Sequence, residues 1–108
     1  MGKMSNFQIL EQCPGGYIGY CSCCGTFQVV FGNLSLLQEE REYLELMGML
    51  GETCRINQDK ESPHLRSIFI NTTTEGLQFF FSLNELKCFY EMMQTAFLLY
   101  EANKIIES

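Results

Sequence analysis

Positive charge is scarce in this chain. Seven Lys and Arg stand against thirteen Asp and Glu, a formal charge of −6 at pH 7, and Lys3, Arg41, Arg55, Lys60, Arg66, Lys87 and Lys104 are scattered rather than clustered. A surface that tracks phosphates needs grouped cations, so nucleic acid is not an expected partner. The start carries no basic segment followed by an apolar core, and no apolar run approaches the roughly 20 residues of a membrane helix. The expected location is therefore the cytoplasm, with no membrane partner.

Histidine occurs once, at His64. A two-histidine acid and base relay is thereby excluded, and no glycine-flanked serine elbow, Walker loop, dinucleotide fingerprint or calcium loop stands in for it. Glu39, Glu40, Glu42 and Glu45 lack a Glu-x-x-His partner and read as a solvated helix face. With no catalytic signature present, the sequence favours a protein that is not an enzyme.

Cysteine is abundant, with six in 108 residues. Three of them fall within Cys21-Ser22-Cys23-Cys24-Gly25. In a reducing compartment such thiols are metal ligands, reactive groups or small buried residues. Cys21 and Cys24 have the Cys-x-x-Cys spacing in which a tight turn points both thiolates at one ion, and zinc, which takes four ligands, is the candidate. The other two ligands must come from Cys13, Cys23, Cys54, His64 or Cys88. Cys13 flanks the turn Pro14-Gly15-Gly16, about 13 Å along the partner strand from Cys21. Cys54 and His64 fall on a polar connection and are geometrically freer. The expected metal set is Cys21, Cys24, Cys54 and His64, with Cys23 an extra thiol and Cys88 a core or interface residue.

The apolar pattern predicts strands over Phe7 to Cys13, Tyr17 to Cys21, Thr26 to Phe31, Ser67 to Thr73 and Leu77 to Phe81. Capping boxes at Ser35/Gln38 and Ser82/Glu85 predict a helix to about Leu50 and a longer one to about Ile106, with Glu52 to Arg66 as a connecting loop. Gly48 and Gly51 weaken the end of the first helix. Phe27 to Phe31 lies over Leu77 to Phe81 at a shift of 50, and Leu37 to Met47 over Leu83 to Met93 at a shift of 46. This echo is a candidate ββα pseudo-repeat. The expectation is an α+β fold of one domain, residues 1–108. A predominantly antiparallel sheet of four or five strands packs against two helices that cover one face. The second helix is apolar beyond one stripe, which predicts a homo-oligomer through helix or sheet surface, or a protein partner.

The stretch from Gly19-Tyr20-Cys21-Ser22-Cys23-Cys24-Gly25 through Phe31-Gly32-Asn33-Leu34-Ser35-Leu36, with the acidic helix after it, resembles a family of short uncharacterised proteins from Bacteroidetes, a domain of unknown function. There a Cys-x-x-Cys precedes a strand ending Phe-Gly-Asn. The resemblance implies a bacterial intracellular protein and assigns no activity. The function expected from the sequence is that of a small soluble interaction or regulatory protein with zinc as a structural staple. The alternative is a thiol-based redox or metal-handling protein that uses the Cys21/Cys24 pair.

Overall fold

The computed structural model describes residues 7–59, 64–71 and 76–107. Four strands open the chain: β1 (Phe7–Cys13), β2 (Gly16–Cys21), β3 (Thr26–Phe31) and β4 (Leu34–Gln38). They form an antiparallel sheet in the order β1-β2-β3-β4. Short loops fix this meander. Pro14 and Gly15 join β1 to β2, and Gly32 and Asn33 join β3 to β4. Gly32 stands at φ 59, the conformation that a two-residue hairpin with glycine first requires. Its N–H donates to the carbonyl of Gly15 at 2.8 Å, tying the two turns together.

Helix α1 (Glu40–Ile56) follows β4, then a two-stranded sheet of β5 (Ile68–Asn71) and β6 (Gln78–Phe81), then helix α2 (Leu83–Glu107). The fold is α+β and antiparallel, with two helices and a ββα arrangement. It differs from the sequence reading in three places. The strands divide into sheets of four and two. Leu34–Gln38, read as a turn and helix cap, is instead a strand: Val29 pairs with Leu36 and Phe27 with Gln38. The cap moves to Glu39, whose N–H donates to Glu42 Oε1 at 2.9 Å. Finally, α1 continues through the start of the supposed loop to Ile56. Gly51 allows this through close packing, since a Cβ there would meet the Tyr90 ring and hydroxyl at 2.7 Å. Residues 60–63 of the connection and 72–75 of the β5–β6 turn lie outside the described residues.

Directly opposed residues share a sheet face. Ile18, Phe27 and Val29 are fully buried toward the helices, beside Tyr43 and Leu50 of α1 and Leu86, Phe89, Met93 and Ala96 of α2. Aromatic contacts give the direction of the elements. Phe31 stacks on Phe89 at 4.8 Å, while Phe27 meets Tyr100 at 4.9 Å, so α2 runs antiparallel to β3. Tyr43 Oη donates to the Met93 carbonyl at 2.7 Å, and Tyr100 Oη donates to Glu40 Oε1 at 2.9 Å. The β2–β3 turn, the start of α1 and the late turns of α2 therefore share one end of the molecule.

The capping box expected at Ser82 is present. Ser82 Oγ accepts from the Glu85 N–H at 3.1 Å and Glu85 Oε1 from the Ser82 N–H at 2.9 Å. Replacing Ser82 with alanine should cost about 1 kcal/mol, read as a fall of about 4–8 °C in Tm. The Arg66 guanidinium, then burial in opposition, then the Ser82 amide act on Glu85, and the net effect holds its carboxyl below the ordinary 4.5. A depressed carboxyl contributes stability that is fully present above its unfolded pKa and lost as pH falls through the folded value. Glu85→Gln should therefore flatten the acid limb of the Tm profile below about pH 4.5.

Candidate metal centre

β2 and β3 are joined by four residues, Ser22, Cys23, Cys24 and Gly25. The turn closes through the Gly25 N–H, which donates to the Cys21 carbonyl at 2.8 Å. Gly25 stands at φ 69, a left-handed conformation that costs a residue with a Cβ roughly 1–2 kcal/mol. Glycine here lets the chain fold over on itself and re-enter the ladder at Thr26, opposite Cys21. Tyr20 anchors the strand beneath, its ring 4.8 Å from both Phe27 and Tyr100.

The turn gathers three thiols. Cys21 Sγ lies 3.3 Å from Cys23 Sγ, Cys23 Sγ lies 3.7 Å from Cys24 Sγ, and all three sulfurs fall within 4.8 Å of one another. Cys23 and Cys24 are exposed and Cys21 half-buried. Sulfurs about 2.3 Å from a tetrahedral zinc sit about 3.8 Å apart, so the triad meets the spacing of three zinc ligands with small side-chain rotations. The three thiols also perturb one another. Hydrogen bonds from Cys23, then from Cys24, stabilise a Cys21 thiolate and lower its pKa. Hydrogen bonds to Cys21 first and to Cys23 second, with the charge on both, push the Cys24 thiol up to about 11. In reduced, metal-free protein, iodoacetamide should modify Cys21 before Cys24. Mass-spectrometric peptide mapping over a pH series reads that order, and early loss of Cys24 near neutrality would contradict it.

The other thiols and the histidine stand elsewhere. Cys54 is on α1, where burial raises its pKa and Lys87 and Glu91 of α2 are the charges that reach it. Those residues precede Tyr100 by thirteen and nine positions respectively, about 20 and 14 Å along the helix. His64 is exposed, with Nδ1 3.0 Å from Asn84 Nδ2 near the start of α2. The structure thus brings Cys21 and Cys24 together, adds Cys23, and places Cys54 and His64 toward the opposite end. Cys13, paired with Gly16 at the far end of the β1–β2 hairpin, also stands away from the turn. It meets Cys88, whose pKa is raised by burial first and by Cys13 second. The signal for Cys23 was its place inside a four-residue turn closed by glycine. Strand alternation gave it no direction because residues 22–25 are not in a strand.

Fold and site together define an α+β protein with an exposed three-thiol turn. The chain belongs to the family of unknown function DUF6686, whose profile matches residues 3–97. No curated protein and no solved structure matches it.

Proposed function

We propose that this chain is a thiol-based metal-handling protein that holds a thiophilic ion of the zinc class on Cys21, Cys23 and Cys24. The observation that carries this reading is the convergence of three sulfurs within 4.8 Å on a surface turn. Metal binding replaces the thiol protons, so the site loads with proton release and more tightly as pH rises. One chain supplies three of the four ligands that close a structural zinc site, so an ion on a single chain stays exchangeable, which favours handling over stapling.

The core also argues against a staple. Phe27, Tyr43, Leu50, Leu86, Phe89 and Met93 pack the helices on the sheet without the cysteine turn. Loss of the ion should therefore leave the fold in place. The setting this function requires is one that keeps thiols reduced, in line with the bacterial cytoplasm implied by the resemblance of the Cys-x-x-Cys and Phe-Gly-Asn segments. Titration of the reduced protein with zinc against a chromophoric chelator should reveal one ion per chain, and circular dichroism should be unchanged after chelation. Failure to compete for zinc under reducing conditions would sink the proposal.

A further inference from the structure

The four-stranded sheet has a second face. The helices cover the side formed by Ile18, Tyr20, Phe27, Val29, Phe31 and Leu36, and strand alternation sends the intervening residues the other way. By register that outer face consists of Phe7, Ile9 and Gln12 of β1, Tyr17, Gly19 and Cys21 of β2, Thr26, Gln28 and Val30 of β3, and Ser35 and Leu37 of β4. None of these residues is charged, in a chain of formal charge −6. Phe7, Ile9 and Leu37 are 41, 45 and 73 % exposed. The Phe7 ring lies across Gly19, where an added Cβ would meet it at 2.3 Å. One end of this face carries the cysteine turn, because Cys21 is opposite both Phe7 and Thr26.

Two features ask for the same occupant. A tetrahedral ion needs four ligands. Among the described residues the only grouping of three or more candidate ligands is Cys21, Cys23 and Cys24. The neutral face imposes no like-charge penalty on a second copy of an acidic chain, whereas a charged partner would find no complement there.

We propose that a second copy of this chain packs on the outer face of the four-stranded sheet and that its cysteine triad completes the metal site. The inference rests on the metal-handling reading above. β2 and β3 are the central strands of the order β1-β2-β3-β4. A two-fold axis parallel to the strands therefore brings both β2–β3 turns to one end of the interface, with the sheets about 10 Å apart. Two tetrahedral ions need eight ligand positions, and six sulfurs, two of them bridging, fill all eight. The predicted load is two zinc ions per two chains. Four strands about 20 Å long at a spacing of about 4.8 Å give a flat footprint of about 400 Å² per chain, half the usual share of about 800 Å². The face alone makes a weak dimer, and the shared metal tightens it.

The test is native mass spectrometry and sedimentation of the reduced full-length chain with and without zinc, on the parent protein and on the Val30→Lys/Leu37→Lys variant. Both changed side chains point outward and leave the triad and core intact. Zinc should convert the parent from one-chain to two-chain species carrying two ions. The variant should stay a single chain and bind zinc about tenfold or more weakly. A parent that loads zinc as a single chain overturns the dimer site while leaving the metal-handling reading standing. So does a variant that binds zinc as tightly as the parent. A parent that binds no zinc in any state defeats the reading beneath it.

Discussion

Replacing Phe27 with alanine should cost about 3–5 kcal/mol, by loss of buried ring and by the cavity left behind. A chain of this length has a total stability of roughly 5–15 kcal/mol, so the loss is a large share of the total and should appear as a large fall in the urea midpoint. Phe27 is fully buried. Its ring meets Tyr43 at 4.3 Å, Tyr20 at 4.8 Å, Tyr100 at 4.9 Å and Phe97 at 6.3 Å, joining two strands and both helices. Neighbours held by separate elements cannot all move in to fill the gap. Tyr43→Phe is the comparison that decides which effect dominates. It keeps the ring and loses the hydrogen bond to the Met93 carbonyl, a change of about 1 kcal/mol. Urea denaturation of both variants reads the two values, and equal losses would show that the hydrogen bond, not the packing, holds this end together.

Phe27 also shows what was legible in the sequence. Phe27, Val29 and Phe31 alternate with polar or smaller neighbours, and the strand, its inward face and its place in the core follow directly. The Ser82/Glu85 box likewise locates α2, because a side chain that satisfies a free helix amide leaves a local mark. Leu34–Gln38 was illegible for the opposite reason. Its Ser35 and Gln38 mimic a cap, and only the hairpin pairing with Phe31 through Phe27 makes it a strand. This hidden strand also misplaced the echo between halves. The caps at Glu39 and Ser82 are 43 residues apart. At that spacing buried Tyr43, Leu46 and Leu50 fall over buried Leu86, Phe89 and Met93, so the corresponding units are β3-β4-α1 and β5-β6-α2.

The site was legible in part for a related reason. Cys-x-x-Cys spacing is a local property of a turn, so Cys21 and Cys24 could be paired on sight. Which further residues face them depends on how α1 ends. Glu52 to Ile56 reads as polar and loop-like, but the residues on its inner side sit against α2 where Gly51 admits Tyr90. Cys54 is carried into that helix contact, away from the turn. Polar composition described the solvent face of the last helical turns rather than their conformation.

Cys23→Ser should lower zinc affinity by about a hundredfold or more. Structural zinc sites bind with about 10–16 kcal/mol shared over four ligands. Losing one sulfur therefore removes about 3 kcal/mol, and each 1.4 kcal/mol is tenfold. Serine keeps the size of the side chain, and the residue is exposed on a turn, so stability should hardly change and the loss will report the ligand alone. Cys54→Ser and His64→Ala make the contrast decisive. If the ion is held by the Cys21/Cys24 knuckle with ligands from the α1–β5 connection, those two variants should fail and Cys23→Ser should be silent. The triad requires the reverse: Cys23 at 3.3 Å from Cys21 is indispensable, while Cys54 beside Lys87 and Glu91, and His64 on Asn84, are dispensable. Competition with a chromophoric chelator for all three variants, each checked for fold by circular dichroism, separates the two ligand sets in one measurement.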